Sequence, residues 1–144
     1  METEPKIIAE YITSGKVKFI YRHLAQIGQE SIITAEASEC AADQGQFWPM
    51  RKTLYSRQDE VFAAADIGAA VAGFAQDLGL DTAAFNTCMQ DHKHLAAVQA
   101  DYSAAQAEGV RSRPVFDIEP GSQRLIGGQS FAVFQQLLDA AIKP

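Results

Sequence analysis

Thiols are the most reactive side chains this chain carries, and it has two, Cys40 and Cys88, 48 positions apart. Thiol–disulfide exchange needs an accessible thiolate of low pKa and a second thiol close enough to resolve the mixed disulfide. A Cys-x-x-Cys pair at a helix N-terminus supplies both, and the sequence contains none. Cys40 and Cys88 each fall well inside a predicted helix, away from the N-terminal dipole that lowers a thiol pKa. Neither is placed to act as a nucleophile. An even count permits one disulfide without demanding it, and two buried free cysteines packed as small apolar residues are the other reading.

The remaining candidates for chemistry are weaker. His92 and His94 are two positions apart and point away from each other on a helix. Cys88 and His92 share a face at i, i+4, which is one arrangement for a metal. Two ligands do not make a site, and Asp91-His-Lys-His94 reads as a solvated helix junction. No metal and no cofactor is expected. His23 ends a predicted strand and reads as a structural or surface residue. Phe47, Trp48, Tyr55 and Phe62 are read as core aromatics. Gly127-Gly128 lacks a phosphate-loop or dinucleotide fingerprint around it and reads as a strand-to-helix turn. No Ser-His-Asp arrangement can be argued.

The elements that must hold these residues follow from pattern and punctuation. Pro5 suits a first helical turn, and Ile7, Ile8, Tyr11 and Ile12 recur at helical spacing until Ser14-Gly15. Lys16–His23 alternates apolar and basic residues and predicts a strand. After a loop over Leu24–Glu30, Ser31 is the expected cap of a helix over Ile32–Gln44, ending at Gly45. Phe47–Tyr55 is helical and interrupted near Pro49. Asp66–Leu78 is a helix ending at Gly79. Asp81 caps another through Phe85 and Cys88, and His94–Glu108 follows, stopped by Gly109. Val115–Ile118 and Arg124–Ile126 form a hairpin around Glu119-Pro-Gly-Ser122. Ser130 caps a last helix whose apolar face is Phe131, Phe134, Leu137, Leu138 and Ala141.

The stretch Gly109-Val-Arg-Ser-Arg-Pro-Val-Phe-Asp-Ile-Glu-Pro-Gly-Ser-Gln-Arg-Leu-Ile-Gly-Gly128 resembles the cis-proline hairpin of thioredoxin-fold proteins, the DsbA-like branch in particular. The likeness runs over nearly the whole chain. Gly15–His23 is similar to that family's second strand, Ala35–Trp48 to its first insert helices, and Leu78–Cys88 to a later one. The resemblance implies an α/β, thioredoxin-like fold with an inserted helical subdomain, lacking the N-terminal strand. It implies one domain over 1–144, with the insert over about 31–108 and the hairpin and last helix over about 109–144.

Two departures matter. The opening strand and the Cys-x-x-Cys turn are absent, so a chain related to disulfide oxidoreductases is expected to be redox-inactive as it stands, with no catalytic residue. The family has Thr or Val before its cis-proline, and here the pair is Arg113-Pro114. These two are the candidate peptide-binding residues, a fixed positive charge beside any docked extended polypeptide. The resemblance also favours a structural disulfide between Cys40 and Cys88, because some relatives carry one there. Closing that loop would stabilise the fold by roughly 3–4 kcal/mol. Without the central strand, Lys16–His23 and Val115–Ile118 would face each other with unpaired edges, and unpaired edges invite another chain. A homodimer through those edges is the expectation. The alternatives are a non-catalytic peptide- or protein-binding module and a truncated product of a full-length oxidoreductase.

Composition narrows the partners. A net charge of −6, without a basic run, argues against nucleic acid. No apolar stretch is long enough to cross a membrane. The start, Met1-Glu-Thr-Glu-Pro-Lys6, is unlike a signal peptide, so the chain as written is expected in the cytoplasm, although the family is usually exported.

Overall fold

The structure, a computed structural model, describes residues 3–143. The chain forms two compact units, residues 1–22 with 106–144 and residues 23–105.

In the first unit, α1 (Thr3–Ile7) runs into a π-helical turn over Ile8–Ile12, and together they occupy the expected first helix. Gly15, at φ 73°, ends it, a conformation glycine adopts without a Cβ penalty. β1 (Val115–Ile118) and β2 (Gln123–Ile126) pair antiparallel, with Val115 opposite Ile126 and Ile118 opposite Gln123. Asp117 and Arg124 stand opposite each other on the solvent side. Arg124 grips Asp117 with two hydrogen bonds, 2.6 and 2.9 Å, and reaches the Glu108 carboxylate at 3.1 Å. α8 (Phe131–Ala141) turns its apolar stripe onto this hairpin. Phe134, Leu138, Tyr11 and Ile118 are buried together, and Phe131, Leu137 and Ala141 pack around them as the sequence pattern predicts. The Phe116 and Phe134 rings meet edge to face at 4.8 Å. Tyr11 donates a 2.7 Å hydrogen bond to Asp139, so its hydroxyl is satisfied inside the cluster.

The second unit is helical: α2 (Gly28–Ala42), α3 (Phe47–Ser56), α4 (Gln58–Ala63), α5 (Ile67–Asp77), α6 (Thr82–Gln90) and most of α7 (Leu95–Ala107). Met50, Val61, Val71, Phe74, Ala75 and Phe85 fill its core, with Cys40 and Cys88 among them. Asp66 and Asp81 cap α5 and α6 by accepting the backbone N–H groups of Ala69 and Ala84, each at 3.0 Å.

Several expectations need correction. Lys16–His23 is not a strand. Its alternation is real, with Val17, Phe19, Tyr21 and His23 turned inward and Lys18, Ile20 and Arg22 outward. No strand among the described residues pairs with it, and alternation without a ladder does not make a sheet. α2 starts three residues before Ser31, whose hydroxyl bonds back to Ile27 instead of capping. Pro49 does not interrupt α3. It sits in the first turn, where a missing N–H has no intrahelical partner to lose. Ser130 stands at the start of α8 without a side-chain capping bond. Trp48, Tyr55 and Phe62 are not core: they are 45%, 42% and 58% exposed, because Met50, Leu54 and Val61 take the inward positions of α3 and α4.

Candidate functional site

Cys40 and Cys88 are joined in a disulfide, with Cα atoms 5.9 Å apart, and the chain has no free cysteine. Cys40 lies in the last turn of α2 and Cys88 in the last turn of α6. Both therefore sit at the negative end of a helix dipole, the opposite of the placement that stabilises a thiolate. The bridge ties α2 to α6 behind a shallow recess of about 520 Å³, lined by both cysteines with Asp43, Gln44, Thr87, Asp91 and Lys93.

The polar groups around the bridge come from two short segments. Asp43 follows α2 by one residue, and His92, Lys93 and His94 form the turn between α6 and α7. Lys93 donates to Asp43 Oδ2 at 2.8 Å, and His94 Nε2 lies 3.0 Å from the same oxygen. Hydrogen bonds from Lys93 and then His94 hold the Asp43 carboxyl below the usual carboxylate range. Asp43 Oδ2 is 3.7 Å from Cys88 Sγ. A disulfide sulfur has no proton, so this is a contact and not a hydrogen bond.

His92, the residue whose spacing from Cys88 drew attention in the sequence, turns elsewhere. Its backbone is left-handed, φ 49°, and its Nδ1 meets the buried Glu36 carboxylate at 3.1 Å. His94 takes its place beside the sulfurs. The ligand atoms of Cys40, Cys88 and His94 all lie within 4.8 Å of one another. His23 is buried, with Nε2 2.7 Å from Glu39 and its backbone N–H bonded to Asp101. All three histidines of the chain thus meet a carboxylate on α2 or one residue past it. The signal for this was present: Glu36, Glu39 and Asp43 follow one another at intervals of three and four, an acidic stripe on one helix face.

The other sequence candidates lie in the hairpin unit. Arg113 and Pro114 are exposed, and the peptide bond between them is cis, as is Glu119–Pro120. The Pro114 carbonyl accepts the Gly127 N–H at 2.8 Å, continuing the hairpin ladder by one bond. No interaction partner holds the Arg113 guanidinium among the described residues. β1 pairs with β2 alone among those residues.

The protein-family model described as thioredoxin matches residues 1–140. The chain belongs to the thioredoxin family. Among solved structures, alpha-DsbA1 of Wolbachia pipientis superposes with a TM-score of 0.81 at 23% identity, over 97% of this chain and 75% of that one. A putative protein disulfide isomerase from Nitrosomonas europaea gives a TM-score of 0.55 at 20% identity, over 96% and 73%. At these identities the likeness is one of fold: a DsbA-like thioredoxin fold with an inserted helical region. Among curated proteins, a Na(+)/H(+) antiporter NhaA of Herminiimonas arsenicoxydans is 30% identical over 125 residues, 87% of this chain and 19% of the antiporter. Na(+)/H(+) antiporter NhaA 3 of Salinispora tropica is 30% identical over 117 residues, 80% of this chain and 17% of the antiporter. This thioredoxin-family chain spans less than a fifth of the length of these curated relatives. None of its described helices is long and apolar enough to cross a membrane.

Proposed function

We propose that this chain is a DsbA-like domain without dithiol oxidase or reductase chemistry of its own, its one cystine serving as an internal staple. The observation that carries this reading is the placement of the cysteines. Both are consumed in one bridge between the C-terminal turns of two helices, where a thiolate gains nothing from the dipole. Insulin reduction and refolding of scrambled ribonuclease test it directly. Background rates are expected in both assays, and clear turnover by the purified chain refutes the reading.

A second reading concerns the hairpin. A strand edge that no described strand pairs, beside an exposed guanidinium, fits an extended polypeptide added along β1, or the edge of a second copy of the chain. Arg113→Ala is then expected to weaken peptide binding several-fold, and a sedimentation profile separates the second copy from a foreign peptide. The match to the antiporters supports one extension of either reading, that the domain works within a membrane transport polypeptide. An antibody against the chain distinguishes the cases in cells: a membrane-bound band much larger than 15.6 kDa supports it, and a soluble band of that mass sinks it.

A further inference from the structure

We infer that reduction converts the Cys40–Cys88 bridge into a zinc site whose ligands are Cys40 Sγ, Cys88 Sγ, His94 Nε2 and Asp43 Oδ2. Three of the four groups already cluster, and Asp43 stands beside two of them. The two sulfurs and one ring nitrogen of His94 lie within 4.8 Å of one another, Asp43 Oδ2 is 3.0 Å from His94 Nε2, and it is 3.7 Å from Cys88 Sγ. Tetrahedral zinc with Zn–S near 2.3 Å and Zn–N and Zn–O near 2.0 Å asks for N···O and S···O edges of about 3.3–3.6 Å, close to those distances. It also asks for about 3.8 Å between the sulfurs. Two cysteines with Cα atoms 5.9 Å apart reach that by turning about χ1 once the bond between them is broken.

The electrostatics of the place favour a cation. The C-terminal ends of α2 and α6 both converge there. Lys93 already occupies it, donating its ammonium to Asp43 and its backbone N–H to the Cys88 carbonyl at 3.2 Å. Zn²⁺ with two thiolates, one carboxylate and a neutral imidazole carries a net charge of −1. Lys93, whose ammonium lies 2.8 Å from Asp43 Oδ2, brings it to zero. The oxidised chain has no thiolate to offer, so the site exists only in the reduced chain.

The step balances as follows. A dithiol reductant gives two electrons and two protons and becomes its own disulfide, and the S–S bond breaks to give two thiols. Zinc binding then releases both thiol protons to solvent as two Zn–S bonds form. The staple between α2 and α6 is thereby kept in either state, by cystine in an oxidising compartment and by zinc in a reducing one. This goes beyond the redox-inactive reading, and the two fail separately: insulin turnover sinks that one and leaves this one standing.

The test uses the full chain reduced with a phosphine, with Co²⁺ as the spectroscopic probe and Zn²⁺ as competitor. One Co²⁺ per chain is expected, with the visible bands of a tetrahedral ion and a thiolate-to-cobalt charge-transfer band, all removed by Zn²⁺. The oxidised chain is expected to show none of these. His94→Ala and Asp43→Asn are each expected to weaken Zn²⁺ by roughly 10- to 100-fold or more, at least the loss seen for groups one shell further out. His92→Asn, at a left-handed position that asparagine tolerates, is expected to leave it unchanged. Absent thiolate bands in the reduced chain overturn the assignment, as does equal binding by the oxidised chain or indifference to His94→Ala. If the reduced chain loses its far-ultraviolet dichroism, stoichiometric Zn²⁺ is expected to restore it, and failure to do so is equally fatal.

Discussion

Removing the cystine tests the staple quantitatively. The bridge closes a loop of 48 positions that includes α3, α4 and α5. The chain-entropy treatment of such a loop gives about 4 kcal/mol of stabilisation near 25 °C, nearly all of it exerted on the unfolded state. The double substitution Cys40→Ala with Cys88→Ala is therefore expected to lower stability by about 4 kcal/mol, a fall in Tm of roughly 10–20 °C for a chain of this size. The sulfurs sit in the core with Met50 and Phe85, so their deletion adds a smaller packing loss. Urea unfolding followed by circular dichroism, with a chelator present, measures both the free energy and its slope. Because an uncrosslinked denatured state is more expanded, m is expected to rise in the variant. The unsubstituted chain under reductant and chelator should reproduce both changes. A loss under about 1 kcal/mol with an unchanged m would falsify the staple, because a bridge of this span cannot be removed silently if it constrains the unfolded chain.

Further outcomes are expected at Tyr11, Asp43 and Phe85. Burial, and then Asp139, push the Tyr11 hydroxyl up from 10.0 to about 12. Its contribution to stability is complete below about pH 10 and is lost as pH rises through about 12, an alkaline limb that pH-dependent melting should show for the parent chain and not for Tyr11→Phe. The same substitution is expected to cost about 1–2 kcal/mol near neutral pH by deleting the 2.7 Å bond to Asp139, measured by urea unfolding. Asp43 is held below the ordinary carboxylate range by Lys93 and His94, so its contribution is present above the ordinary value and is lost as pH falls through the lowered one. Asp43→Asn should flatten the acid limb of the stability profile, and an unchanged limb argues that the ion pairs contribute nothing. Phe85→Ala, at a fully buried position on α6 in the same core cluster as the cysteines, should cost about 3–5 kcal/mol in the same unfolding assay.

The elements that could be read in advance were those whose signal is local. The α8 stripe, the Asp81 cap, the hairpin turn and the glycine stops at Gly15, Gly45 and Gly79 each follow from a few neighbouring residues, and each is where the pattern put it. Lys16–His23 failed because a strand is a property of a pair. Its alternation specifies which side chains face inward, not whether a neighbour supplies the ladder. The aromatics of α3 and α4 failed for a related reason: hydrophobicity marks Trp48 and Phe62 as candidates, but helix phase gives the inward positions to Met50, Leu54 and Val61. α4 itself, six residues between Arg57 and Ala64, is too short for a periodic signal to rise above its surroundings.

The cysteine neighbourhood was the least readable part, and the reason bears on function. Sequence spacing points to Cys88 and His92, one helical turn apart. A helix of nine residues ending at Gln90 cannot carry that phase forward, and the turn at His92 swings it toward Glu36. His94 arrives instead, on the far side of the turn, opposite an aspartate that lies 51 positions earlier. What gathers Cys40, Asp43, Cys88, Lys93 and His94 is therefore the convergence of two helix C-termini, a tertiary event. A helix N-terminus would have made a reactive thiol of either cysteine, and a C-terminus favours a bridge or a cation instead. The same dipoles that give neither thiolate any stabilisation make the bridge position hospitable to a positive ion once the thiols are released.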